Sequence, residues 1–113
     1  MAVADHDLEF LLSLDGSEFR LLSGYVVKIE AHSVAMTSNR PQGIKYSLTL
    51  HDKFGERMYG MDNAHSVGRQ PEYDHRHLYG RQKIIAYRFR GAAELLADFY
   101  REVERILSEK GAL

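Results

Sequence analysis

The chain has no cysteine, which excludes disulfides, thiolate metal sites and a cysteine nucleophile. That lack suits a reducing cytoplasm, the expected location. No apolar stretch is long enough to cross a membrane as a helix, and Met1 to His6 hold no signal-peptide apolar run. Net charge is also scarce. Fifteen Lys and Arg stand against 16 Asp and Glu, a formal −1, which argues against a protein that coats nucleic acid non-specifically. The glycines are scattered, and none opens a helix in the P-loop or dinucleotide pattern. No Gly-x-Ser-x-Gly elbow offers an acyl-transfer serine. No repeat, low-complexity tract or linker divides the 113 residues, so they read as one domain, 1–113.

What is present is mostly strand. Residues 8–14, LEFLLSL, alternate and predict a strand with Leu8, Phe10, Leu12 and Leu14 on one face. Asp15-Gly16-Ser17 reads as a hairpin turn. Phe19 and Leu21 lie on the next strand, Gly24 marks a bulge or a break, and Tyr25, Val27 and Ile29 resume the alternation. Residues 38–43 are loop by composition. IKYSLTLHD then predicts a strand with Ile44, Tyr46, Leu48 and Leu50 inward. Lys53-Phe54-Gly55-Glu56 turns it back, and RMYGMDN delivers Asp62 and Asn63 to its own end. QKIIAYRFR, residues 82–90, predicts a further strand with bulk on both faces, which suits a helix on one side and a homodimer contact on the other.

The last segment carries the one strong helix signal. Leu95, Leu96, Phe99, Val103, Ile106 and Leu107 recur at three- and four-residue spacing. Gly111 stands where a C-terminal cap belongs, and Lys110 suits the negative end of the helix dipole. Such a stripe needs a sheet to bury against. The expected architecture is α+β, an antiparallel β-sheet meander packed against a C-terminal α-helix.

Chemistry concentrates in residues 59–79, YGMDNAHSVGRQPEYDHRHLY. Two polar clusters, Asp62-Asn63-Ala64-His65 and Asp74-His75-Arg76-His77, flank a loop with Gly68 and Pro71. Residues of these types are costly to bury, and they are the ones that move protons, bind metals or grip phosphates. If His75-Arg76-His77 is extended, both imidazoles point to one side. One reading is metal-free RNA cleavage, with His75 and His77 as acid and base and Arg76 on the phosphate. Asp62, Asn63 and His65 take orienting or ligand roles, and Asp74 fixes a histidine tautomer. A second reading places a divalent metal on Asp74, His75 and His77 for hydrolysis or nucleotidyl transfer. A third has no catalysis, the clusters bracing a module that binds protein or nucleic acid. From His75 to Ala93 there is no acidic residue, while Arg76, Arg81, Lys83, Arg88 and Arg90 all fall there. That run predicts a local basic face able to meet phosphate, with Arg81, Lys83 and Arg88 as substrate-binding candidates beside Asn63 and His65. The tyrosines at strand positions read first as half-buried core and second as stacking platforms for bases.

Several motifs in order resemble the TumE-type toxin family of prokaryotic toxin–antitoxin systems. They are Tyr46-Ser47-Leu48, Gly60-Met61-Asp62-Asn63, Asp74-His75-Arg76-His77 and Leu95-Leu96-Ala97-Asp98-Phe99. Met61 stands where Tyr is common in that family. The resemblance covers roughly residues 44–107 well and the N-terminal hairpin loosely, and it implies a small cytoplasmic toxin with a helix-turn-helix antitoxin as partner. It makes RNA a natural target without establishing one.

Overall fold

The computed structural model describes residues 6–38, 40–63, 74–78 and 83–112. Along the chain these form α1 (His6–Ser13), β1 (Ser17–Arg20), β2 (Val26–Ser33), β3 (Ile44–His51), β4 (Arg57–Asp62), β5 (His75–Leu78), β6 (Lys83–Ala86) and α2 (Ala92–Glu109). The strands pair in chain order, each antiparallel to the next, as a six-stranded meander. The fold is α+β, with the C-terminal helix on the sheet. No helix among the described residues is long and apolar enough to cross a membrane.

Register explains which face is buried. Val27 pairs Leu50, Ile29 pairs Leu48 and Ala31 pairs Tyr46. Leu48 in turn pairs Met61, and Leu50 pairs Tyr59. Directly paired residues point to the same face, so these eight side chains form one continuous apolar sheet face, and all are buried. Helix α2 lays its stripe against it: Leu95, Phe99, Val103, Ile106 and Leu107 are buried, and the Phe99 ring stacks on Tyr59 with centroids 5.9 Å apart. Each such side chain contributes about 1.5–3 kcal/mol by leaving water. The helix ends in the cap that Gly111 announces. Gly111 has φ 66°, its N–H donates to Ser108 O, and the Ala112 N–H donates to Leu107 O at 2.8 Å.

The N-terminus corrects the sequence reading. Residues expected as a strand at 8–14 form helix α1, which packs beside α2 and against β2. Leu8, Leu11 and Leu12 satisfy helical spacing as well as alternation does, and a short apolar run does not separate the two. The outcome shows in burial: Leu11 is fully buried while Phe10, expected on the same strand face as Leu8, Leu12 and Leu14, is exposed. Asp7 and Glu9 in the first turn favour the helix through its dipole. Asp15-Gly16 therefore joins helix to strand rather than two strands. Asp15 Oδ1 accepts the Ala31 N–H at 2.9 Å, which ties that turn to β2.

Local geometry settles Gly24 as the break and shortens the last strand. Gly24 sits in a turn that separates β1 from β2, closed by the Leu21 N–H donating to Tyr25 O at 2.8 Å. Its φ is 89°, and a Cβ there would lie 3.0 Å from Lys53 Cβ, so the close approach of the two hairpin tips also favours glycine. The last strand is shorter than residues 82–90. It ends at Ala86, one more bond follows from the Tyr87 N–H to Asp74 O at 2.8 Å, and the chain then turns inward, with the Phe89 ring 6.0 Å from Tyr46.

Candidate functional site

Strands β4 and β5 bring the two polar clusters together. Asp62 pairs His75, Met61 pairs Arg76 and Gly60 pairs His77. Alternation then divides the Asp-His-Arg-His motif between faces. Arg76 joins Met61 on the face that carries α2, whereas His75 and His77 join Asp62 on the opposite face, open only in that no helix among the described residues packs on it. There His77 Nε2 lies 2.9 Å from Asp62 Oδ2, with both side chains only about 15% exposed. His75 is fully buried, and its ring centroid is 6.4 Å from that of His77. The register adds Ser47, paired with Asp62, and Thr49, paired with Gly60.

The chemistry this group offers is that of an imidazole beside a carboxylate. A carboxylate that accepts one ring N–H fixes the tautomer and leaves the other nitrogen to take or give a proton. Asp62 Oδ2 stands at ion-pair distance from Nε2 of His77. His75 stands alongside as a second imidazole on the same face.

The opposite face holds a different set of polar groups, and they brace the strand ends. Asn63 is fully buried. Its side-chain Oδ1 accepts the Tyr46 N–H and its Nδ2 donates to Ile44 O, both at 2.9 Å, while its own N–H donates to Tyr46 O. The amide thus continues the β3–β4 ladder by one step. From the loop before β3, Arg40 Nε donates to Asn63 O at 2.9 Å. The Tyr46 hydroxyl donates to Asp74 Oδ2 at 2.6 Å, which locks the start of β5 to β3. Burial raises the Asp74 carboxyl pKa, outweighing the bonds from Tyr46 and Gln42 and the charges of His75 and Arg40. Burial, reinforced by the Asp74 charge, pushes the Tyr46 hydroxyl far above the ordinary phenol range. Burial likewise moves the Tyr59 hydroxyl up to about 12, against the opposing charge of Arg76.

The candidates from the sequence thus fall into three groups. Asp62, His75 and His77 meet on the open face. Asn63 is spent on backbone partners and Asp74 on Tyr46. Arg76 stands beside Tyr59 on the helix face, near Arg88, while Lys83 is exposed on β6, opposite Leu78 in register. His65 and Arg81 lie outside the described residues, as does the loop at 66–72. Among the described residues no three His, Asp or Glu side chains converge as metal ligands. Asp74, in particular, turns to the opposite face from His75 and His77.

Sequence reading missed Tyr46, Arg40 and Asp98. Tyr46 was legible only as an inward strand residue, and nothing local foretold that its hydroxyl would reach a carboxylate 28 positions away. Asp98 lies off the apolar stripe, among the other charged residues of α2, and only its place in the Leu95-Leu96-Ala97-Asp98-Phe99 motif drew notice to it. It accepts from the Tyr87 hydroxyl at 2.6 Å and pairs with Arg90 and Arg101.

Neither the curated proteins nor the solved structures give a match to the chain. The model of the family described as Toxin TumE matches residues 9–107, a span from α1 through nearly all of α2 that includes both polar clusters. A family of toxins implies an antitoxin partner in general. The chain belongs to the Toxin TumE family.

Proposed function

We propose that this toxin acts on RNA as an endoribonuclease, with the imidazoles of the open face moving the protons. The observation that carries the reading is the His77–Asp62 contact at 2.9 Å with His75 beside it. His77 takes the proton from a ribose 2′-hydroxyl as the 2′-oxygen bonds to phosphorus. The bond from phosphorus to the 5′-oxygen breaks, and protonated His75 supplies that oxygen with its proton. The products are a 2′,3′-cyclic phosphate and a 5′-hydroxyl. Two imidazoles suit the task because their ordinary pKa lies near neutrality, so one acts as base and the other as acid at one pH. The toxin works in the cytoplasm, and a helix-turn-helix antitoxin is its partner. The β6 edge, with Ile84 exposed, is the surface for a homodimer.

A second reading, a binding module without catalysis, draws on the full burial of His75 and on the Asn63 amide being spent on the backbone. Expression of the wild type and of His75→Ala/His77→Ala in growing cells, with RNA ends mapped, separates the two. New ends that appear with the wild type and vanish with a folded variant support the nuclease. Growth arrest without new ends contradicts it and favours binding.

A further inference from the structure

A second cluster lies on the other side of the sheet from the histidines. Residues 87–90 leave β6 and run past the outer face of α2, and the two enclose a groove of about 450 Å³. Arg76, Arg88, Arg90 and Arg101 line it with Tyr87, against the two carboxylates Asp98 and Glu102. The groove is therefore cationic in a chain whose net charge is close to zero. It is also built rather than incidental. Asp98, only 17% exposed, takes the Tyr87 hydroxyl at 2.6 Å, Arg90 Nη2 at 2.7 Å and Arg101 Nη1 at 3.0 Å. One carboxylate thus holds two guanidiniums side by side. A guanidinium has five N–H donors in a fixed fork, so most remain for another anion. Burial pushes the Asp98 carboxyl up, yet the bonds from Tyr87, Arg90 and Arg101 together hold it below the usual carboxylate range. The anchor stays ionised at neutral pH.

We propose that this groove binds the phosphodiester backbone of single-stranded RNA. The proposal rests on the reading of RNA as the toxin's target and gives that substrate a grip separate from the His77–Asp62 pair. Arginine forks match phosphate oxygens in bidentate geometry. The ring of Tyr87, steadied by its hydroxyl on Asp98, adds a face on which a base can stack. That mixture of arginine and aromatic marks single-strand binding and favours RNA over an acidic protein segment. Arg76 connects the two sites. It lies in the groove from β5, between two histidines that point the other way, and β6 is the edge strand between them. A flexible strand of RNA that crosses the β6 edge meets both faces.

The test is binding of a fluorescent single-stranded RNA oligonucleotide to the full chain across a salt series, in a His77→Ala background so that the RNA stays intact. Arg88→Ala/Arg101→Ala is expected to weaken binding by about tenfold or more and to flatten the log–log salt dependence by about 0.7 for each phosphate that is no longer neutralised. Arg88→Lys/Arg101→Lys is expected to recover part of both. If the double alanine variant does not fold, Arg88→Ala alone carries the test, since Arg88 makes no ion pair with a described residue. Unchanged affinity and slope in a folded variant overturn the groove and leave the RNA reading standing. No binding of RNA by the parent protein overturns both. Loss of binding to a poly-glutamate peptide, with RNA binding unchanged, overturns the proposal and reassigns the groove to a protein partner.

Discussion

Four consecutive residues at the start of β5, Asp74 to His77, divide between the two faces of the sheet and do opposite things there. On the helix side Asp74 meets Tyr46 and Arg76 stands beside Tyr59, within reach of the hydrophobic core. On the open side His75 and His77 gather at Asp62, with no apolar layer from a helix among the described residues. Strand alternation alone makes this division. A motif that looks like one catalytic set in the sequence is therefore two sets in space. Asp74 locks the start of β5 to β3, and on the other face Asp62 stands against the His77 imidazole, the placement on which the proposed proton transfer rests.

Substitutions can break that contrast. The largest expected effect is on chemistry: His77→Ala should slow RNA cleavage by about 10²–10⁴-fold, the usual worth of a positioned acid or base, while the thermal midpoint moves little. Cleavage rates and melting curves on the same preparation check both halves. Phe99→Ala should do the reverse. It empties a ring site stacked on Tyr59 and should cost about 3–5 kcal/mol, read from urea unfolding, with toxicity falling only as far as the folded fraction falls. Asn63→Ala is expected to cost about 1–3 kcal/mol, because it leaves the Tyr46 N–H and Ile44 C=O without their buried partners. A loss of cleavage at unchanged stability would instead move Asn63 to the substrate.

Asp74→Asn should have the smallest effect and the most informative pH dependence. The Asp74 pKa is raised in the folded chain by burial, so folding favours the protonated acid. The stability this gives is present below the ordinary carboxylate pKa and is lost as pH rises through the raised value. Asparagine still accepts the Tyr46 O–H and has no charge to bury. The variant should match or exceed the wild type in thermal midpoint at pH 7 and should lack its decline above the carboxylate range. A variant that melts lower than the wild type at pH 7 would show that the Asp74 charge is used.

Much of this was legible in the chain. The alternation of Ile44, Tyr46, Leu48 and Leu50 and the stripe from Leu95 to Leu107 each have a single physical solution, and together they demand a sheet with a helix on it. Leu8 to Leu14 does not have one solution, because a seven-residue apolar run fits either period, and contact with α2 and β2 decided it. For the site, the pairing of His75 with His77 on one side followed from their spacing. What alternation equally implied, that Arg76 must leave them, is visible only once β5 is known to be extended and paired with β4. The roles of Asn63 and Asp74 lay further from reach. Each depends on a partner in β3, and a sequence gives no distance between positions so far apart.

The central claim is that the open face performs chemistry while the helix face holds the frame. Its most direct test is incubation of RNA with purified wild type and His77→Ala of matched melting temperature, read for 2′,3′-cyclic phosphate ends. The account predicts such ends with the wild type and their loss in the variant. Equal cleavage by both, or none by the wild type, would contradict it.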